Sequence, residues 1–142
     1  GRAGCRACDG CPGGRAEAFD QDATATALRE AKEEIGLDHS HIDVIGSLPT
    51  YTTVTAFVVT PVVGLLRPGY ASERNPGEVD DVFEVPLDFL MDPANHRRHG
   101  FEWNGEMREW YSIPYQDGAT ERFIWGATAA MLRNLYRFLS VR

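Results

Sequence analysis

Pro12-Gly13-Gly14, five residues, Asp20, eight residues, then Arg29-Glu30-Ala31-Lys32-Glu33-Glu34-Ile35-Gly36-Leu37: this run sets three carboxylates, Glu30, Glu33 and Glu34, within five residues of one another. Residues three and four apart share a helix face, so a helix here gathers all three acids on one side. Leu28, Ala31 and Ile35 fall on the other side, where they can pack into a core. Like charges at this spacing repel and weaken an isolated helix. A hard divalent cation removes that repulsion. Oxygen-only ligation suits Mg²⁺ or Mn²⁺, with waters and substrate phosphate completing the coordination.

The second half of the run resembles the Nudix box at every defined position from Arg29 to Leu37. The first half departs twice from the usual pattern. Asp20 stands where Glu is common, and eight residues rather than seven precede Arg29. Both departures resemble the coenzyme A pyrophosphatase branch, as does Ala27-Leu28-Arg29-Glu30-Ala31-Lys32-Glu33-Glu34. Later segments are similar to that branch in the right order. They are Val44 to Pro49, Val59 to Gly64, Glu78 to Leu87, and Phe123-Ile124-Trp125-Gly126-Ala127-Thr128-Ala129. The resemblance implies an α/β fold, the Nudix α/β/α sandwich with a mixed sheet. It also implies a pyrophosphohydrolase that needs Mg²⁺ or Mn²⁺ and a coenzyme A-like small-molecule substrate. The products would be 3′,5′-ADP and 4′-phosphopantetheine or its acyl form. Such proteins often dimerise, so a homodimer is an expectation, although no interface signal is visible in the sequence.

One part does not match. Residues 1–11, Gly-Arg-Ala-Gly-Cys-Arg-Ala-Cys-Asp-Gly-Cys, show neither periodicity nor β-branched residues. They read as an atypical, disordered leader in front of a Nudix domain over 12–142, with the strands that family members carry upstream of Pro-Gly-Gly expected to be missing. Cys5, Cys8 and Cys11 have the spacing of part of a zinc or iron–sulfur ligand set, but no fourth cysteine exists. The reading adopted is a leader without a metal.

With 142 residues the chain is long enough for one domain with a real core. A net charge of −7 argues against a broad nucleic-acid surface, while a cation held by carboxylates still allows an anionic small molecule. No apolar run approaches the roughly 18 residues of a membrane span. The absence of any disulfide pattern fits a reducing compartment, and the expected location is cytoplasmic.

Along the chain, Asp22 reads as the N-cap of a helix from Ala23 to Ile35, closed by Gly36. His41 to Leu48 reads as a strand, and Thr50 to Gly64 as one strand or a bent pair. Arg67 to Gly77 reads as a loop and Glu78 to Val85 as a strand or a turn leading into one. A short helix over Pro86 to Met91 precedes a second loop, Asp92 to Gly100. Asn104-Gly105 marks a hairpin over Phe101 to Ile113, and Asp117-Gly118 a further turn. Phe123 to Trp125 closes the sheet before a last helix, Ala127 to Leu139.

Glu30, Glu33 and Glu34 are the expected metal ligands, with Glu30 and Glu34 the i,i+4 pair. Glu33 either ligates or acts as general base. Glu33, Glu34 and Arg29 form the expected catalytic set. Arg29 either holds a carboxylate in place or pairs on the surface. The alternative for the whole run is a solvated acidic face balanced by Arg29 and Lys32. Gly13 and Gly14 would let backbone amides approach a diphosphate. Asp20 would orient the loop or cap amides, and Glu78 is a possible fourth carboxylate. Arg67, Arg74, Arg97 and Arg98 are candidates for a phosphate, each more often a surface residue. The four histidines read as surface groups. Trp125 reads as core, and Trp103 and Trp110 as facing each other or a neighbour across the hairpin. Two other functions remain open: a Nudix hydrolase of a different nucleoside diphosphate derivative, and a non-catalytic Nudix module that binds a nucleotide or partner.

Overall fold

The structure, a computed structural model, describes residues 2–6 (backbone), 11–68 and 82–141. The chain separates into two compact units, Pro12–Val82 and the pair of segments Gly1–Cys11 and Phe83–Arg142.

The first unit is built on helix α1, Ala23–Ile35. It begins where Asp22 accepts a hydrogen bond from the Ala25 amide at 2.8 Å. It ends at Gly36, whose φ of 67° is the left-handed conformation that reverses the chain. There the Gly36 and Leu37 amides donate to the Lys32 and Ala31 carbonyls, so the orphan carbonyls of the last turn are satisfied. Thr26, Ala31, Leu37 and Leu48 are buried in this unit. After a short turn at His39–His41, strand β2, Ile42–Ser47, pairs antiparallel with β5, Val62–Leu66. The register shifts between Val44 and Gly46. Between them the expected single or bent strand over Thr50 to Gly64 is broken up. β3, Tyr51–Thr52, and β4, Val58–Val59, form a two-residue pair. The turn joining them holds Ala56 at φ 67°, with the Phe57 amide donating to Thr53 Oγ1 at 3.1 Å. A threonine hydroxyl that bonds the local backbone competes with the ladder, and the strand stops.

The second unit holds the larger core. Strand β6, Val82–Pro86, leads into a single helical turn, α2, Leu87–Leu90. β7, Arg97–Trp103, β8, Glu106–Asp117, and β9, Thr120–Trp125, form an antiparallel sheet in chain order. Asn104 and Gly105, both at positive φ, make the expected two-residue hairpin turn. Helix α3, Gly126–Ser140, packs on β8 and β9. Phe83, Val85, Leu90, Ile113, Ile124, Ala129 and Leu132 make one buried cluster.

Several expectations need correction. Residues 2–6, read as part of a disordered leader, form strand β1, Arg2–Arg6, paired with β6. Strand pairing uses the main chain, so an unpatterned segment can join a ladder. The expected loop Asp92 to Gly100 is a turn at Pro93–Asn95 followed by β7 from Arg97, because the long β8 offers partners down to Ser112. Trp125, read as core, is 51% exposed. Alternation along β9 sends Ile124 inward and puts Phe123 and Trp125 on the opposite face. His96 and His99, read as surface groups, are half-buried. The Leu90 carbonyl takes the His96 Nε2 hydrogen at 2.6 Å, which leaves Nδ1 to accept from Arg133. His99 stacks on Trp110, the residue opposite it, and shares a hydrogen bond with fully buried Ser112.

Candidate active site

The first unit brings the box residues together around one guanidinium. Arg29 lies on α1 seven residues past its cap, and its side chain reaches back over the loop Pro12 to Asp20. Nε and Nη2 each donate to Asp20 at 3.1 Å, a two-pronged fork on one carboxylate. Nη1 donates to Glu30 Oε1 and to Glu33 Oε2, both at 3.1 Å. Nη2 also donates to the Arg15 carbonyl at 2.8 Å, which ties the loop to the helix. The Phe19 ring covers the guanidinium at 5.5 Å. Of the two alternatives left open for Arg29, a surface pair or a clamp on the acids, the geometry is the clamp.

Asp20 is the other half of this arrangement. Its side chain is 4% exposed. Besides Arg29 it accepts from the Glu17 amide at 2.7 Å and from the Thr26 hydroxyl at 3.0 Å. Arg29 foremost, then the Glu17 amide, pull its carboxyl down from 3.8 to about 2. Asp20 in turn raises the Arg29 pKa still further above its ordinary value. Asp20 therefore orients the loop and accepts a backbone amide, as expected of it, and also holds Arg29, which the sequence did not reveal.

Glu30 has a second constraint. A Cβ on Gly14 would lie 2.6 Å from Glu30 Cδ, so the acid sits in space that only glycine leaves open. Gly13 has no atom within 4 Å of such a position. The two glycines, expected to admit a diphosphate together, thus differ: Gly14 admits the Glu30 carboxylate, and Gly13 is open. Glu34 is half-buried on the same helix and is engaged with its surroundings.

The donor chemistry suits a hard cation, because Glu30, Glu33 and Glu34 offer only oxygens and one guanidinium faces three acids. The acids do not converge: among the described residues no three Asp, Glu, His or Cys side chains lie close enough to hold an ion. Arg29 takes the place of a cation toward Glu30 and Glu33. Glu78, the possible fourth acid, lies outside the described residues, as do Arg74 and Cys8. Arg67 is occupied by a fork on Asp43, at 2.6 and 3.2 Å, and Arg98 lies 3.6 Å from Glu109.

Sequence reasoning missed Thr26 and Phe19. Thr26 had a signal: it lies three residues before Arg29, on the same face of α1, so both reach the loop acid. Phe19 had none, since a single aromatic in a loop has no pattern.

The family model that matches this chain is the NUDIX domain, over residues 2–111. The chain belongs to the Nudix family. Over 123 residues it is 42% identical to "Nudix hydrolase 15, mitochondrial" of Arabidopsis thaliana, covering 85% of this chain and 43% of that protein. "Nudix hydrolase 22, chloroplastic" of the same plant is 40% identical over 85% of this chain and 41% of its own length. "Uncharacterized Nudix hydrolase NudL" of Photorhabdus laumondii is 36% identical over 92% of this chain and 67% of its own. The chain thus spans about two fifths of the plant proteins. The matched stretch includes Arg29, Glu30, Glu33 and Glu34, and the expected fold class, a Nudix α/β fold mixing helices and strands, stands. Nudix hydrolases generally use a divalent ion such as Mg²⁺ or Mn²⁺. No helix among the described residues is long and apolar enough to cross a membrane.

Proposed function

We propose that the Nudix box of this chain is the site of a metal-dependent diphosphate hydrolase, whose substrate is coenzyme A or a derivative. The observation that carries the reading is the Arg29 clamp: one guanidinium, fixed by nearly inaccessible Asp20, positions Glu30 and Glu33 on a single helix face. Glu30, Glu33 and Glu34 would hold Mg²⁺ or Mn²⁺. When bound, such an ion neutralises phosphoryl oxygens and lowers the pKa of a coordinated water.

The chain's own residues supply positioning. Asp20 holds Arg29, Arg29 restrains Glu30 and Glu33, and Gly14 leaves room for the Glu30 carboxylate. Glu33 is the most exposed acid in the clamp, 58% against 15% for Glu30. A group that accepts a proton from water needs solvent access, and this favours Glu33 as general base over a purely structural role. Gly13, beside Gly14 and sterically open, is the place where main chain can approach a diphosphate.

The coenzyme A assignment rests on the branch-like features of the sequence, namely Asp20, the eight-residue spacing and the ordered motifs through Phe123 to Ala129. The relatives' names fix hydrolase chemistry for those proteins but no substrate, which keeps a different nucleoside diphosphate derivative as the second reading. A cytoplasmic location is part of this proposal, and an organellar one, for which two relatives are named, is the alternative. The deciding assay incubates the chain with coenzyme A and Mg²⁺ or Mn²⁺ and resolves the products. Release of 3′,5′-ADP and 4′-phosphopantetheine, stopped by EDTA, is the expected result. Turnover of a nucleotide sugar or dinucleotide with coenzyme A left intact moves the substrate to the second reading. Hydrolysis that persists in excess EDTA removes the metal.

A further inference from the structure

Among the described residues strand β7 is the edge of its sheet. One side pairs with β8 through seven consecutive residues without a register shift, and among the described residues no strand pairs with the other side. Proteins usually blunt such edges with a proline, a bulge, a very short strand, charged side chains or a covering segment, and charges blunt only when they do not complement those of the incoming strand. β7, Arg97-Arg98-His99-Gly100-Phe101-Glu102-Trp103, has no proline and no bulge. Its charges are of both signs, and two of them, Arg98 and Glu102, lie symmetrically about Gly100.

That symmetry has a consequence for an antiparallel pairing of the strand with a copy of itself centred on Gly100. Arg98 then faces Glu102 of the other copy, and the same pair recurs across the two-fold axis. Arg97 faces Trp103 and His99 faces Phe101, again twice each. Opposite charges, a cation beside an indole, and an aromatic pair are all favourable cross-strand neighbours. Shifting the pairing by two residues in either direction sets Arg98 or Glu102 opposite Gly100 and loses both ion pairs. The groups are available: Arg98 is 67% exposed, Trp103 is 52% exposed, and Glu102 is exposed. The contact of Arg98 with Glu109 is long and solvated, so it holds the guanidinium weakly.

We propose that β7 is the surface through which two copies of this chain associate, edge to edge and antiparallel about Gly100, joining two three-stranded sheets into one. An isologous contact of this kind presents the same patch on both partners and closes at two copies. The inference is independent of the box chemistry.

Sedimentation across a concentration series tests it with two charge reversals. The unaltered chain is expected to form a dimer. Glu102→Arg sets Arg98 against an arginine twice, and Arg98→Glu sets Glu102 against a glutamate twice. Each variant alone is expected to dissociate about tenfold more readily or worse. An equimolar mixture of the two variants has opposite charges at both pairs, and a heterodimer is expected to reappear. A chain that stays monomeric throughout, a Glu102→Arg variant that dimerises like the original, or a mixture that fails to associate each overturns the proposal. Circular dichroism checks that the variants fold. Should one not fold, hydrogen exchange of the Gly100 and Phe101 amides in the unaltered chain decides, with concentration-dependent protection expected and its absence contrary.

Discussion

The clamp on α1 and the core of the second unit are held by opposite kinds of force. Around Arg29 the bonds are charged and directional: six polar contacts from one guanidinium to Asp20, Glu30, Glu33 and the Arg15 carbonyl, with Asp20 sealed by an amide and a hydroxyl. Behind β8 the contacts are apolar, with Val85, Leu90, Ile113 and Ala129 fully buried. Buried apolar surface stabilises without caring about direction or pH. A charged network adds less net stability but fixes the direction of the side chains it joins. A site that must present several acids in one geometry needs the second kind of restraint, and a scaffold needs the first. Perturbing each region should therefore give different signatures.

The largest expected effect is on chemistry. Glu34→Gln keeps the shape of the side chain and removes its charge, so hydrolysis should fall by roughly a hundredfold or more while circular dichroism and melting stay unchanged. Equal activity would break the assignment of the helix face to catalysis. The next is on stability. Ile113→Ala leaves a cavity in the apolar cluster and should cost about 3 kcal/mol in denaturant unfolding, with activity per folded molecule preserved. Activity lost without stability would show that the two regions are not separable in this way.

Asp20→Asn sharpens the contrast further. It leaves a donor facing the Arg29 fork and should lower kcat by roughly tenfold to a hundredfold, as changes to residues that orient a ligand do. It also alters the response to acid. The Asp20 carboxyl is held at about 2 in the folded chain against 3.8 unfolded. The stability it contributes is complete above 3.8 and disappears as pH falls through about 2. Denaturation measured along that pH range should show this loss in the original chain and not in the variant. The smallest effect belongs to the helix cap: Asp22→Ala should cost about 1 kcal/mol, read from the same denaturation curves.

Elements with strong local causes were legible in the sequence. Asp22 and Gly36 bound α1 at both ends because capping depends on a few neighbouring atoms. Asn104-Gly105 formed its hairpin turn because few residues accept positive φ twice in succession. The acidic face and Arg29 were visible for the same reason, since helix spacing alone sets which residues are neighbours. What misled was anything decided by a distant partner. Trp125 looked internal within an apolar run, but strand alternation and the packing of α3 chose Ile124 instead. Arg97 to Gly100 looked like loop until β8 supplied a ladder.

By itself, then, the sequence determined the box: three carboxylates, a guanidinium and a glycine pair at spacings that admit one helix and one loop. Those features follow from covalent geometry and short-range sterics. Only the tertiary structure decided that Asp20 anchors Arg29, that Phe19 covers that anchor, that Gly14 yields its space to Glu30, and that β7 is the sheet edge among the described residues. Each of those is a meeting of groups whose separation along the chain, or lack of a repeating pattern, leaves no trace in local propensity, whereas Thr26 shares a helix face with Arg29 and was within reach of sequence reasoning.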